Sequence, residues 1–268
     1  SATQVKGFET ADLVKLTTDQ ITAMAASAVE ALSADQIASM TTAQVASMTT
    51  AQVAKLTNVQ VAALTTAQAA GLGTNQVAAL TATQIKAIET ADLVKLNTAQ
   101  VAAINNLAVA ALTTAQVSAL TSAQVGALST SQVSVISGSQ VQGAGTSFIS
   151  SLTTSAIAGL TDAQARAMTT AQVVALTTAQ AGALSSAAVV AMSPAQITAI
   201  ATDDFAKLTT GAIRAIGNSA VAALTTAQVA SMTTDQVQAL STLQVPPLTA
   251  AQVARVSAHD GAPVTARA

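Results

Sequence analysis

The chain repeats an eight-residue unit, L-T-T-A-Q-V-A-A in its commonest form, from Phe8 to Val256 without insertion or deletion. Every position divisible by eight in that span holds Leu, Ile, Met, Phe or Val, except Ala144. A period this strict is typical of a fold in which one small unit is stacked many times. The repeat therefore directs the search for function to a surface rather than to an active site.

The octad is incompatible with one long helix or with a strand. In a continuous α-helix, eight residues turn the face by about 80° beyond two full turns, so the leucine positions would wind around the whole helix. In a β-strand, the leucine and valine positions, five and three residues apart, would point to opposite faces. Alanine is also depleted in strands. The chain must therefore bend once in every octad.

Helix-capping residues mark the bend. Thr41 is placed to accept a hydrogen bond from the amide of Gln44, and Gln44 to accept one from the amide of Thr41, which together form a capping box. The same spacing brings Met40 and Val45 together as a hydrophobic staple. Glutamine holds this position in 22 of 32 octads, and Pro194 falls at the first helical position, where proline is favoured. Each octad thus predicts one helix start.

We therefore predict an all-α solenoid of about 32 very short helices, one in each octad. Each helix is expected to run for about seven residues, from the second threonine position to the next leucine, with valine and leucine on its buried face. Isolated helices this short are marginal in water, so neighbouring octads must cover them. Alanine, serine and glycine before the leucine allow the backbones to approach closely.

The composition excludes several classes of protein. Charged residues make up 8% of the chain, against roughly a quarter in an ordinary domain, so there is no basic field to hold nucleic acid. No apolar run reaches the roughly 18 residues that a membrane span needs. The absence of cysteine removes disulfides and thiolate sites. The sequence starts in phase at Ser1 without a signal segment, which predicts a processed product or an excised portion of a longer array.

We expect one array over residues 1–256, with a weak point over residues 136–148. There Ala144 replaces the leucine, Phe148 replaces the glutamine, and three glycines raise the entropic cost of ordering the backbone. One interpretation is a hinge or a contact with a partner. The interpretation that we favour is drift of the repeat, with Phe148 filling the space left by Ala144.

The repeat weakens again near its end. Pro246 and Pro247 occupy interior helix positions and should break their octad, so the array is expected to fray from residue 245. The pattern is lost after Val256. Residues 257–268 are therefore expected to be a C-terminal tail, serving either as a cap or as a linker.

A further irregularity links aspartate to lysine. Wherever aspartate takes the glutamine position, lysine follows three residues later, as in Asp12 with Lys15, Asp92 with Lys95 and Asp204 with Lys207. This spacing allows an ion pair within one helix, worth a few tenths of a kcal/mol. We favour local charge compensation over the alternative, a set of periodic contact points for another chain.

Few residues could carry chemistry. His259 lies between Ser257 and Asp260 in the degenerate tail, which we expect to be a loop. Residues so close in sequence do not form a nucleophile, base and orienting group there. The adjacent carboxylates Asp203 and Asp204 are explained by the favourable helix dipole at a helix start. Acidic residues are too sparse for repeated calcium sites, and no phosphate-binding loop occurs. We predict no enzyme, and no catalytic, cofactor-binding or metal-binding residues.

Two resemblances follow from these motifs. Leu112–Leu120, with the pattern L-T-x-x-Q-V-x-A-L, resembles the first-helix opening of TAL-effector repeats over nine residues. The second helix and the base-reading loop of those repeats have no counterpart here. DNA reading is therefore not implied. Nearly the whole chain resembles octapeptide tracts of the L-T-T-x-Q-V-x-A kind in large secreted or surface-attached proteins of Gram-negative bacteria. This resemblance implies an exported, non-enzymatic role in adhesion, matrix or extracellular fibres.

Three functions remain open at this stage. The one that we favour is a structural segment of a stalk, fibre or adhesin that self-associates at the cell surface or outside the cell. The second is a lattice of threonine hydroxyls, such as those of Thr41 and Thr42, that binds ice or a repetitive polysaccharide. The third is a scaffold for partner proteins, which the lack of exposed aromatic anchors disfavours. The expected partners are copies of the chain, then a surface glycan or another protein.

Overall fold

A computed structural model describes residues 2–260, and their side chains as far as Val256. Within these residues, almost every octad contains one short α-helix and there is no β-strand. The predicted all-α repeat solenoid is therefore confirmed. The chain divides between Val135 and Ile136 into two compact units.

The helices of the first unit follow the octads in order. They are α1 (Ala2–Val5), α2 (Thr10–Leu13), α3 (Thr18–Ala23), α4 (Ala26–Glu30), α5 (Ala34–Ser39), α6 (Thr42–Ser47), α7 (Thr50–Lys55), α8 (Asn58–Ala62), α9 (Thr66–Ala70), α10 (Thr74–Ala78), α11 (Ala82–Ala87), α12 (Thr90–Leu93), α13 (Thr98–Ala103), α14 (Asn106–Ala111), α15 (Thr114–Ala119), α16 (Ser122–Gly126) and α17 (Thr130–Ser134).

The second unit continues the same pattern. Its helices are α18 (Gly138–Gly143), α19 (Thr146–Ser151), α20 (Thr154–Ala158), α21 (Asp162–Ala167), α22 (Thr170–Val174), α23 (Thr178–Gly182), α24 (Ser186–Ala191), α25 (Pro194–Thr198), α26 (Thr202–Phe205), α27 (Thr210–Ala215), α28 (Asn218–Ala223), α29 (Thr226–Ser231), α30 (Thr234–Ala239) and α31 (Ala250–Asp260).

Most helices are shorter than the expected length of about seven residues. Helix α6 has six residues, and the helices at the aspartate octads, such as α12, have four. The prediction was too long because the residue at the leucine position leaves the helix: Met48 has φ −56° and ψ 140°. This extended residue turns the chain into the next octad.

The helix starts form as the capping pattern predicts. The Thr41 hydroxyl accepts a hydrogen bond from the Gln44 amide at 3.2 Å, and the Thr41 amide donates to Gln44 Oε1 at 2.8 Å. Pro194 stands at the first position of α25. Side-chain capping thus marks the start of most helices. Helices α2, α4, α10, α12, α19, α26 and α28 begin without a side-chain cap bond.

The core of each unit is a thin column of aliphatic side chains. Val45 is fully buried and Met48 is 3% exposed, and the valine and leucine positions of most other octads are buried as well. The exceptions lie near the two ends of the array: Phe8 is 37% exposed, and Leu16, Met24, Leu240, Val245 and Val253 are half-buried. Each helix packs against the third helix after it in the chain, as α4 does against α7. Hydrogen bonds between turns join residues 25 to 31 apart, so one turn takes between three and four octads.

The irregular segment over residues 136–148 keeps the octad pattern in the second unit. Helices α18 and α19 both form, and Ala144 and Phe148 are both buried. Gly138 takes the place of the usual threonine because a Cβ there would lie 2.9 Å from the carbonyl oxygen of Ala163. Close approach of two helices, rather than a break, accounts for that glycine.

The octad that contains Pro246 and Pro247 forms turns, whereas its neighbours form helices. The pattern then resumes, because the Thr249 amide donates to Gln252 Oε1 at 2.6 Å and α31 follows. In the described residues, the octad pattern is thus interrupted at the two prolines and present again in α31. Residues 261–268 of the expected tail and the side chain of His259 lie outside the described residues.

Candidate functional site

The most distinctive chemical feature of the fold is a column of buried glutamines. Gln44 is 2% exposed, and its Oε1 is occupied by the capping bond from Thr41. Its Nε2 group donates two further hydrogen bonds, to the carbonyl oxygen of Leu13 at 2.9 Å and to that of Leu16 at 2.7 Å. Every polar group of the side-chain amide is therefore bonded.

The two acceptors belong to the end of a helix one turn earlier. Leu13 is the last residue of α2, and Leu16 occupies the leucine position at which that octad ends. The carbonyls at the end of a helix have no partner within the helix. One glutamine thus completes the start of its own helix and the end of a helix in the preceding turn.

We call this arrangement the glutamine clamp: a glutamine at the third helical position that donates to carbonyls 31 and 28 residues earlier. Eleven clamps lie in the first unit, at Gln36, Gln44, Gln52, Gln60, Gln68, Gln76, Gln84, Gln100, Gln116, Gln124 and Gln132. Clamps in the second unit are at Gln172, Gln180, Gln196, Gln228, Gln236, Gln244 and Gln252.

Sequence reasoning found half of the clamp. The capping box explains the Oε1 atom of each glutamine and leaves the two Nε2 hydrogens without a partner. These two unassigned Nε2 hydrogens are the signal that could have revealed the clamp. Buried donors need acceptors, and the carbonyls at helix ends need donors. The position of the acceptors depends on the number of octads in a turn, which the repeat alone does not determine.

Asn105 shows how an octad without the glutamine can retain part of this contact. Alanine stands at the third helical position, as Ala108, and Asn105 caps the helix by accepting from the Ala108 amide at 2.9 Å. Asn105 Nδ2 then donates to the carbonyl oxygens of Ala78 at 3.1 Å and Leu80 at 2.8 Å. The cap residue has taken over the bond to the preceding turn.

The expected aspartate–lysine ion pairs form only once among the described residues. Asp12 and Lys15 pair at 3.0 Å with both side chains exposed. Asp92 instead is 7% exposed and accepts a bond from the Thr66 hydroxyl at 2.6 Å, and Asp204 is 8% exposed. The prediction was wrong for Asp92 and Asp204, which are buried whereas Lys95 and Lys207 are exposed. The Asp92 carboxylate turns to Thr66 in another turn instead.

Threonine hydroxyls are used unequally in each pair. The first threonine of the Thr-Thr pair in an octad, such as Thr49, uses its hydroxyl to accept the helix-cap hydrogen bond. The second, such as Thr50, is exposed at the first helical position. Repetition therefore produces a surface column of threonines beside the helix caps.

The candidate chemical groups are not brought together. Asp203 is exposed and Asp204 is buried within α26. Between residues 2 and 256, no group of three or more His, Cys, Asp or Glu residues is placed to hold a metal ion. In that same range, no helix has the length and apolar character needed to cross a membrane.

A family model described as the ALTTAQ repeat matches four segments of the chain, residues 5–42, 31–58, 85–122 and 197–234. The matched segments together cover slightly less than half of the chain. This similarity agrees with the predicted octapeptide repeat tract and, with the helical solenoid, indicates a structural repeat protein. No curated protein matches the chain.

Proposed function

We propose that this protein is a non-enzymatic structural element that self-associates as part of a stalk, fibre or adhesin outside the cell. The observation that carries the proposal is the glutamine clamp, because it makes each turn recognise the preceding turn through the same two bonds. In the clamp of Gln60, Nε2 donates to the carbonyl oxygens of Val29 at 2.9 Å and Leu32 at 2.7 Å.

A turn that recognises its neighbour by a repeated pattern also fits the same pattern in another copy. The donors and acceptors of the clamp always fall on the same positions of the octad, because the octads follow one another without insertion. A turn from a second chain therefore presents the same carbonyl pair at the same spacing. Repeat arrays with uncovered turn faces associate through those faces, and such head-to-tail contacts generate open filaments.

The first turn of the first unit presents a face of this kind. Gln20 is exposed and completes its capping box, but among the described residues its Nε2 group meets no carbonyl. A hollow of about 300 Å³ beside Gln20 is lined by Val5, Phe8, Leu16 and Met24. A turn of the same kind, from a second copy or from further repeats, would supply both the carbonyls and the apolar filling.

An exported location is part of the proposal. The resemblance to surface-attached octapeptide tracts supports it, and the cysteine-free composition is compatible with an oxidising compartment. The low content of charge, 8% of residues, favours association of the Thr, Ser and Ala surface over repulsion between copies. Fractionation of the native source, with antibodies against the chain, should place the protein outside the cytoplasm.

Self-association is tested by sedimentation velocity and negative-stain electron microscopy over a range of concentrations. We expect end-to-end species whose length grows with concentration, and we expect Q20M to move their appearance to higher concentration. The matched control is Q238M, because Gln238 is exposed but lies outside the glutamine column. Monodisperse monomers at high concentration would contradict the proposal.

The exposed threonine column favours a second candidate function. Thr42 and Thr50 stand at equivalent exposed positions of successive helices, and the same position is threonine in many octads. A regular array of hydroxyls suits ice or a repetitive polysaccharide as a ligand. Thermal hysteresis and glycan-binding assays on the intact chain test this alternative, and no signal in either would reject it.

A further inference from the structure

Leu107 is an exception to the small, polar surface of the first unit. It occupies the second position of α14, where alanine is the commonest residue. Its side chain is 78% exposed, the highest value among the large apolar side chains that the structure describes as exposed. A leucine in this position contributes nothing to the core of its own unit.

An apolar hollow of about 480 Å³ lies beside Leu107. It is lined by residues 78–82, at the end of α10 and the start of α11, and by Asn105, Asn106 and Leu107 itself. The polar atoms of Asn105 are already used, since its Oδ1 caps Ala108 and its Nδ2 donates to Ala78 and Leu80. The hollow therefore offers chiefly apolar contact to anything that enters it.

None of the residues that line the hollow is charged. No Asp, Glu, Lys or Arg occurs over residues 96–161, and residues 78–82 are also uncharged. The charged residues of the first unit lie instead at residues 6–35, at Lys55 and at residues 86–95. An occupant of the hollow should accordingly be apolar and uncharged, as this surface is itself.

We propose that the occupant is Leu107 of a second copy of the chain. The surface carries a projecting leucine and a hollow for one side by side, so two copies related by a twofold axis would each fill the hollow of the other. This proposal rests on the proposed self-association and adds a lateral contact to the turn-on-turn contact. The Leu107 surface, made of residues 78–82 and 105–107, is then the centre of this lateral contact, and each copy presents the same residues to the other.

Single cysteines provide a direct test, because the natural chain has none. We expect L107C to give covalent dimers with a short bismaleimide cross-linker, and a mixture of L107C and A79C chains to give the heterologous cross-link. V59C is the matched control, since Val59 is 68% exposed at the same position of α8. Equal cross-linking of L107C and V59C would overturn the proposal, as would no cross-linking of L107C.

A charge substitution separates this contact from the proposed function. We expect L107E to weaken the lateral dimer by about tenfold or more in sedimentation equilibrium, while V59E leaves it unchanged and both variants keep the circular-dichroism spectrum of the natural chain. Assembly that is insensitive to L107E would overturn the Leu107 contact and leave turn-on-turn association standing. The absence of any association would contradict both proposals.

Discussion

Two stretches of the chain build the same octads with different numbers of clamps. In the clamped stretch, residues 36–84, the third position of every helix is a glutamine that forms a clamp. In the sparse stretch, residues 188–220, the corresponding residues are Ala188, Gln196, Asp204, Ala212 and Ala220. Only Gln196 forms a clamp there.

The sparse stretch nevertheless keeps its helices. The hydroxyl of Ser185 caps Ala188 at 3.1 Å, and Val189, Ile213 and Val221 are all essentially buried. Helices α26 and α28 form even without a side-chain cap bond, so core burial is sufficient to form the octad. The difference between the stretches teaches that the clamp adds adhesion between turns, which is the property that a stacking array needs.

The largest effect should come from a negative charge in the clamped stretch. Gln60 is 2% exposed, and in Q60E the carboxylate would face two carbonyl oxygens with no donor to offer. An uncompensated buried charge costs about 3 to 5 kcal/mol, and we expect that loss in the free energy of unfolding at neutral pH. Urea unfolding followed by circular dichroism measures it, since the chain lacks Trp and Tyr.

The matched control for Q60E is Q20E. Gln20 makes the same capping box, but its side chain is exposed, so a carboxylate there should leave stability nearly unchanged. Burial should raise the pKa of the carboxyl introduced by Q60E, so the deficit shrinks at low pH and grows as the pH rises through that pKa. Equal losses in Q60E and Q20E would show that only the capping box matters.

Removing the donors without adding charge should cost less. In Q60M the carbonyl of Leu32 loses the bond that it accepts from Gln60, and the Thr57 amide loses its acceptor. The carbonyl of Val29 keeps the bond from the Leu32 amide. Leaving buried polar groups unpaired costs about 1 to 3 kcal/mol, so the urea midpoint should fall by less than in Q60E. A midpoint equal to that of the natural chain would mean that the clamp contributes no adhesion.

The reverse substitution should strengthen the sparse stretch. In A220Q, the new side chain would accept from the Gly217 amide and donate to the carbonyls of Val189 and Met192. The octad of Gly73 and Gln76 already combines a glycine cap with a clamp. We expect a gain of about 1 kcal/mol in the free energy of unfolding. A loss would mean that the turns around Ala220 already pack into the space that the glutamine side chain would need.

The smallest effect should come from a cap in the same octad. Gly217 has no side chain to cap α28, and a Cβ there would meet no atom within 4 Å. We expect G217S to stabilise the chain by about 0.5 kcal/mol, through a cap bond and a less flexible unfolded chain. Differential scanning calorimetry should show a small rise in Tm; a fall would contradict the assignment of residue 217 as the cap.

These comparisons also show what the sequence could and could not predict. The positions of Thr41, Gln44 and Val45 predicted the helix starts and the core because capping and burial depend on near neighbours in the chain. The acceptors of Gln44 lie in the preceding turn, so they depend on the superhelical turn and could not be read from spacing alone. The same reason explains the error at Asp92, whose partner Thr66 is also in another turn.

Amide hydrogen exchange of the natural chain tests the central claim, that glutamine clamps hold turn to turn. Local opening of a turn breaks its clamps, so amides of the clamped stretch should exchange more slowly than those of the sparse stretch. Mass spectrometry of peptides from residues 36–84 and 188–220 should show that order, with the peptide around Gln196 the slowest of the sparse stretch. Equal protection in the two stretches, or greater protection in the sparse one, would contradict the account.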